Sequence, residues 1–231
     1  DEAKSEFISI ASHQLRTPLT AIKGYVSMML EGTFGTMPEE CKEPLKRTYI
    51  SSEQLVSLIS SLLNLSRIES GKIKYEFTNA NLANLVLHVV EELEEVAKNS
   101  GVEVEVSNEA GENLQIYSDE EKLHEVFMNL LDNAIKYSPK GTVKIKIFKS
   151  DGKMTVSVSD NGIGILEEDI PKLFSKFGRT ETSQKLRPDG MGIGLYFVRR
   201  VVEDHKGRVW VESEGEGKGS TFFVELPLRL V

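Results

Sequence analysis

The chain has 231 residues, of which 39% are hydrophobic and 28% charged, and a formal net charge of −8. That balance argues for a folded chain of one large or two modest domains rather than a disordered one, while the acidic excess speaks against binding along a nucleic-acid backbone, which needs many cations where a single nucleotide needs few. Cys41 is the only cysteine, so an intramolecular disulfide is excluded, and no apolar run approaches the roughly 20 residues of a membrane span.

The first seventy residues carry helical signals alone. At 100° per residue, Phe7, Ile8, Ala11, Leu15, Pro18, Leu19, Ile22, Tyr25, Val26 and Met29 share one half of the wheel, and Glu6, Ser9, His13, Arg16, Thr17, Thr20 and Gly24 fall on the other. So wide an apolar face demands partner helices. Gly32 and Gly35 end this element, and the Thr36-x-x-Glu39 spacing predicts a capping box that opens the next. Pro44 is expected to kink or restart that second helix, because a proline in a helix loses a hydrogen bond and crowds the preceding turn. Beyond it Leu45, Tyr49, Ser52, Leu55, Ile59, Leu62, Leu63 and Ile68 recur at three and four. The pair reads as a helical hairpin that dimerises into a four-helix bundle, with packing on the remainder of the same chain as the alternative.

Ser70-Gly71-Lys72 marks a boundary, giving expected domains of 1–70 and 71–231 and an α+β chain overall. In the second part Ile73 to Phe77 is an expected strand, and Asn81 to Lys98 an amphipathic helix closed by Gly101. Val102 to Val106 and Leu114 to Tyr117 are expected strands, followed by a helix over Asp119 to Tyr137. Val143 to Phe148 and Met154 to Ser159 flank Asp151-Gly152, a hairpin signal. A polar stretch then leads to Gly190, a helix to about His205, and strands over Arg208 to Ser213 and Thr221 to Leu226. The pattern is an α/β sandwich of mostly antiparallel strands under helices.

Several segments suit nucleotide chemistry. Asn129, Asn133, Lys136 and Tyr137 fall at i, i+4, i+7 and i+8 of one helix, so they share a face; amide oxygens can complete a Mg²⁺ shell and a lysine can meet a phosphate. Alone, that face suits a solvated surface equally. Asp160-Asn-Gly162-Ile-Gly164-Ile165 leaves a strand with an acid able to accept from an adenine amino group, and with glycines that let a ligand approach backbone; the plain alternative is a turn. Gly190-Met-Gly192-Ile-Gly194-Leu195 opens a helix, where exposed N–H groups favour phosphate. It is half a dinucleotide fingerprint without the βαβ unit that fingerprint requires. Gly215-Glu-Gly217-Lys-Gly219-Ser220-Thr221-Phe222 reads as a hairpin loop, with Thr221 as a possible hydroxyl donor.

Phe7-Ile-Ser-Ile-Ala-Ser-His13-Gln-Leu-Arg-Thr17-Pro18-Leu19 resembles the phosphoacceptor box of sensor histidine kinases. The four segments above resemble, in order, that family's asparagine box, two glycine boxes and terminal glycine segment, and Leu173-Phe174-Ser-Lys-Phe177-Gly-Arg179 resembles its phenylalanine box. The resemblance covers nearly the whole chain. It implies an ATP-binding domain of the histidine kinase/gyrase type behind a dimeric phosphoacceptor hairpin, and a histidine autokinase that passes phosphate from His13 to an aspartate of a response-regulator receiver domain. It implies that Asp160 reads adenine, that Asn133 with help from Asn129 holds Mg²⁺, and that Lys136, Arg179 and the amides of Gly192 and Gly194 cradle the phosphates. Tyr137 and Ile165 would border the base, and residues 178–189 would form a mobile ATP lid. Thr17 matches the position that orients water against a partner's phosphoaspartate, which implies phosphatase activity.

One departure stands beside the phosphoacceptor. The family usually carries an acid at position 14, where this chain has Gln14, which can accept a hydrogen bond from the ring but cannot stabilise an imidazolium by charge; slower autophosphorylation is expected. The lone cysteine and the absence of a membrane run suggest a cytoplasmic chain, and its start within a helical pattern suggests a piece of a longer sensor, which leaves a membrane-bound parent open.

Overall fold

In a computed structural model of the chain, residues 2–71, 73–111, 115–187 and 190–228 are described. The expectations placed on Lys72, Leu114 and Asp189, and on the side chains of Glu6, Phe7, Ser9 and His13, lie outside the described residues. The chain divides into two compact units, the first built on residues 1–73 and the second on 74–188 and 192–231.

The first unit is a hairpin of two long helices, α1 (Glu2–Leu30) and α2 (Glu39–Glu69). Gly32 and Gly35, at φ 81° and 108°, turn the chain between them. One expectation fails here, and one of the two alternatives for Pro44 is ruled out. Pro38, not Thr36, is the residue before the first helical turn of α2, and no side chain caps it; a proline there already sets φ at −55° and leaves Thr36 too far upstream for a capping box. Nor does α2 restart at Pro44, through which the helix is continuous. Glu39 and Glu40 sit in the positive first turn, and Thr48 Oγ1 donates to the Pro44 carbonyl at 2.9 Å.

Only part of the apolar surface of the hairpin is used within it. Val26, Ile59 and Leu63 are buried, and Arg16 and Lys23 reach across to Ser60 and Glu53. Leu15, Ile22, Tyr25 and Met29 of α1, with Leu55 and Leu62 of α2, stay exposed. Burying each would gain roughly 1.5–3 kcal/mol, so this stripe is the surface expected of half a four-helix bundle.

The second unit begins with an irregular run from Ile73 to Phe77, where a strand was expected; pairing starts one residue later, in β1 (Thr78–Asn81). The side chains of Tyr75 and Phe77 are committed elsewhere, to Asp204 and to the ring of His205. α3 (Leu82–Ser100) is capped by the Asn81 side chain, which accepts from Asn84 N–H, and closes on Gly101 in the left-handed region at φ 68°. β2 (Glu103–Asn108) and β3 (Gln115–Ser118) follow, and then α4 (Glu120–Tyr137), capped by Asp119. β4 (Thr142–Ser150) and β5 (Lys153–Asp160) form the expected hairpin, with Asp151 and Gly152 both at positive φ. A short helix α5 (Glu181–Leu186), then α6 (Gly194–Asp204), β6 (Arg208–Glu212) and β7 (Ser220–Pro227) complete the unit.

β1 pairs with β3 as a small antiparallel sheet, and the main sheet has the order β2-β4-β5-β7-β6, antiparallel except for the β2–β4 pair. Alternation along β4 and β7 buries Val143, Ile145 and Ile147, and Phe222, Val224 and Leu226, against a helical layer that contributes Val89, Phe127, Leu130, Val198 and Val202. This is a two-layer sandwich. Its register sets Asp160 opposite Ser220, so the end of β5 and the start of β7 share one rim of the sheet, and Ser138, just past the end of α4, reaches Asp160 there.

Candidate functional site

Asp160, the last residue of β5, is held from three directions. Its Oδ1 accepts from Gly162 N–H at 2.9 Å and from Ser138 Oγ at 3.2 Å, and its Oδ2 accepts from Ser220 Oγ at 2.5 Å. Three donors fix the carboxylate plane, as is needed for an acid that reads a donor on a planar ring. Sequence reasoning missed Ser138 and Ser220 and chose Thr221 instead. The Thr221 hydroxyl lies 2.9 Å from Ser159 Oγ, its register partner across the two strands, while Ser220 reaches Asp160. Adjacent strand residues face opposite ways, and which one faces the acid depends on a register not visible in sequence.

The glycines around Asp160 are required by packing. A Cβ on Gly162 would lie 2.2 Å from the Tyr137 carbonyl oxygen, and one on Gly219 2.0 Å from the Asp160 carbonyl oxygen. Gly164 is at φ +68°, and a Cβ there would lie 2.0 Å from Gly215 O. The loop after β5 is bonded to its surroundings. Ile163 N–H donates to Tyr137 O at 3.2 Å, Gly217 N–H to Ile163 O at 2.6 Å, and Gly219 N–H to Gly162 O at 3.2 Å. Ile165 N–H donates to Ser213 Oγ at 3.0 Å. The terminal glycine segment, which as a hairpin loop needed no function, is therefore one wall of the Asp160 loop. Asn161 fastens the other side by accepting from Thr142 N–H at 2.8 Å.

The remaining residues divide unevenly. Asn129 and Asn133 are half-buried on α4. Asn129 Nδ2 donates to Glu125 O at 2.7 Å, and its Oδ1 lies 2.5 Å from where a Gly194 Cβ would stand. The amide oxygen is thus turned to the glycine loop at the start of α6, an orientation and a donor type that fit Mg²⁺. Gly192, at φ +68°, packs where a Cβ would lie 2.8 Å from Arg179 Cγ and from the Phe177 carbonyl carbon. Phe177 itself is exposed and left-handed at φ 58°, a strained backbone of the kind found at functional loops. Leu195 and Tyr137 are half-buried, and Gly190 is exposed.

The two cations expected on phosphate are engaged within the protein. Lys136 pairs with Asp132 one turn back on α4. Arg179 donates from its guanidinium to the carbonyls of Ser183 and Arg187. It thereby closes the end of α5, a helix inside the expected lid that sequence reading left without a conformation; Thr180 caps the other end by accepting from Ser183 N–H at 3.0 Å. In the first unit Gln14 and Thr17 are exposed on α1, and His13 lies in the same helix.

Residues 118–230 match the family described as histidine kinase-, DNA gyrase B- and HSP90-like ATPase, and residues 3–71 match the His kinase A (phospho-acceptor) domain. The circadian input-output histidine kinase CikA of Synechococcus elongatus is 35% identical over 227 residues, 97% of this chain and 30% of CikA, so the chain spans less than a third of that relative. Full-length ShkA in complex with AMPPNP superposes with a TM-score of 0.79 at 25% identity, covering 98% of this chain and 46% of ShkA. Histidine kinase ThkA in complex with the response regulator protein TrrA gives a TM-score of 0.64 at 26% identity, over 97% of this chain and 61% of ThkA. Among the described residues no helix is long and apolar enough to cross a membrane.

Proposed function

The chain belongs to the sensor histidine kinases, and from that premise we propose that it moves the γ-phosphoryl group of ATP to His13 and then to an aspartate on a response-regulator receiver domain. The observation that carries this reading is the fixed carboxylate of Asp160, braced by Gly162, Ser138 and Ser220 beside the glycine loops, in a chain whose first helix bears the phosphoacceptor box. Residues 1–70 serve dimerisation and phosphotransfer, and 71–231 bind nucleotide. The exposed stripe through Ile22 and Leu62 supports a homodimer. The AMPPNP bound by ShkA and the regulator bound by ThkA support the nucleotide and the partner. The compartment is cytoplasmic.

Asp160 accepts from the adenine amino group, and Tyr137 and Ile165 flank the base. The amides of Gly192 and Gly194, at the positive end of α6, meet phosphate oxygens, while Gly190 and Leu195 shape that loop. Lys136 and Arg179 reach phosphate by exchanging their present partners, Asp132 and the carbonyls of α5. Asn129 and Asn133 would hold Mg²⁺, which when bound offsets charge on the phosphate oxygens. The lone pair of one His13 ring nitrogen attacks the γ-phosphorus; the bond to the β–γ bridging oxygen breaks, ADP leaves, and the other ring N–H is oriented by the Gln14 carbonyl oxygen. The receiver carboxylate next displaces the imidazole from phosphorus. Thr17, one turn from His13, orients water for hydrolysis of the resulting acyl phosphate.

Incubation with γ-labelled ATP and Mg²⁺ tests this. Acid-labile, base-stable label is expected on the parent chain and none on His13→Gln, with ATP affinity equal in both. ATP hydrolysis without any labelled protein would instead favour a gyrase-like clamp.

A further inference from the structure

The exposed side of the second unit carries a group of side chains that the kinase reaction does not use. His88 and Glu92 stand one turn apart on α3, and His124 projects from α4. Both imidazoles address the same carboxylate oxygen. Glu92 Oε1 lies 3.5 Å from His88 Nδ1 and 2.9 Å from His124 Nε2, and the ring centroids are 5.8 Å apart. We propose that His88, Glu92 and His124 form a binding site for a divalent transition-metal ion of the zinc type, which ties α3 to α4.

The geometry distinguishes this group from an ordinary histidine–carboxylate pair. One imidazole suffices to hydrogen-bond Glu92, and here two rings on different helices address one carboxylate oxygen. Two neutral imidazoles with a carboxylate between them are instead a ligand set with a net charge of about −1, complementary to a dication. The donor atoms lie within 4.8 Å of one another. Zinc bonded at about 2.0–2.1 Å spaces its tetrahedral ligands at about 3.3 Å, and the contacts of 3.5 and 2.9 Å bracket that value. Closing the third edge needs only side-chain rotation, which is open to His88 and Glu92, whose side chains are 65% and 39% exposed. That exposure also leaves a fourth position for water. Imidazole donors favour Zn²⁺, Ni²⁺ or Cu²⁺ over Mg²⁺ and Ca²⁺, so the site differs in kind from the amide oxygens of Asn129 and Asn133. An ion here would fasten the helix that carries those two asparagines to its neighbour.

Calorimetric titration of the tag-free full chain with ZnCl₂, in a large excess of Mg²⁺, tests the proposal. One Zn²⁺ per chain is expected, with affinity lowered about tenfold or more in each of His88→Gln, His124→Gln and Glu92→Gln. In the unmutated chain Zn²⁺ should shift the imidazole proton resonances of His88 and His124 and leave those of His205 in place, a reading that does not depend on how the variants fold. Parent-like affinity in either histidine variant, no zinc binding at all, or unshifted His88 and His124 resonances would overturn it.

Discussion

Ser220 Oγ stands 2.5 Å from Asp160 Oδ2, and Gly162 N–H stands 2.9 Å from the other oxygen of the same carboxylate. The acid is therefore oriented before any ligand arrives. Replacing Asp160 by Asn keeps the shape but turns an acceptor into a donor on one side, against which the serine hydroxyl and the adenine amino group both compete. Affinity for a non-hydrolysable ATP analogue should fall about tenfold to a hundredfold in Asp160→Asn, and about threefold to tenfold in Ser220→Ala, as measured calorimetrically. Parent-like affinity in Asp160→Asn would reduce this carboxylate to a loop brace.

The glycine loops offer an internally controlled comparison. Gly152 and Gly164 both have positive φ, at +73° and +68°, but a Cβ on Gly152 meets nothing within 4 Å, whereas one on Gly164 would lie 2.0 Å from Gly215 O. Gly152→Ala should cost about 1–2 kcal/mol of stability from backbone conformation alone and leave nucleotide affinity intact. Gly164→Ala must also push the terminal glycine segment off the Asp160 loop. Loss of ATP-analogue binding in Gly164→Ala but not in Gly152→Ala is expected; equal binding in the two would show that the wall is dispensable.

What sequence could and could not say follows from the range of each interaction. The helices and the Asp151-Gly152 hairpin are local, governed by periodicity and turn residues, and they were legible to within a few residues. The capping box at Thr36 failed because Pro38 competes for the same turn, and the strand over Ile73 to Phe77 failed because Tyr75 and Phe77 bind Asp204 and His205, more than a hundred residues away. Ser138 and Ser220 were invisible for the same reason: their role depends on strand register and on a helix end meeting a loop. Lys136 and Arg179 were named from their motifs, but their present partners, Asp132 and the carbonyls of α5, belong to the packing of this structure.

The exposed stripe on the hairpin makes a prediction about assembly. Ile22 is 45% and Leu62 40% exposed, whereas Val26, Ile59 and Leu63 are buried. Ile22→Glu should disrupt the four-helix bundle while leaving each hairpin paired internally. Sedimentation should show a dimer for the parent chain and a monomer for the variant, and a parent chain that sediments as a monomer would contradict the bundle.

Gln14 and Thr17 set the balance of the two phosphate reactions in the proposed scheme. A charge-assisted hydrogen bond to the ring is roughly twice as strong as a neutral one, so Gln14→Glu should speed single-turnover autophosphorylation about fivefold to tenfold. Thr17→Ala should leave labelling of His13 unchanged and slow the loss of label from the phosphorylated partner. An unchanged rate in Gln14→Glu would mean that position 14 acts through orientation alone.

His205 gives the second unit a pH dependence whose sign follows from geometry. The ring is buried, its Nε2 accepts from Asp119 N–H at 2.9 Å, and its Nδ1 faces Val201 O at 2.8 Å. Both nitrogens are satisfied only in the neutral Nδ1–H tautomer, because protonation would set one N–H against another. Burial pushes the pKa below its ordinary 6.5, partly opposed by the Val201 carbonyl and by Asp119 and Asp204. A pH unit or more above 6.5 the ring is largely neutral in both folded and unfolded chains, and stability scarcely depends on it. As pH falls from 6.5 toward the depressed folded value, the unfolded chain gains a proton that the folded chain refuses, so stability drops by at most about 1.4 kcal/mol per pH unit for this group. Urea melts at pH 7.5 and 5.5 should show that loss in the parent and a smaller one in His205→Gln, which is also less stable at the higher pH because it disturbs the bond to Asp119. If the two chains lose the same stability between those pH values, protonation of His205 is not the cause.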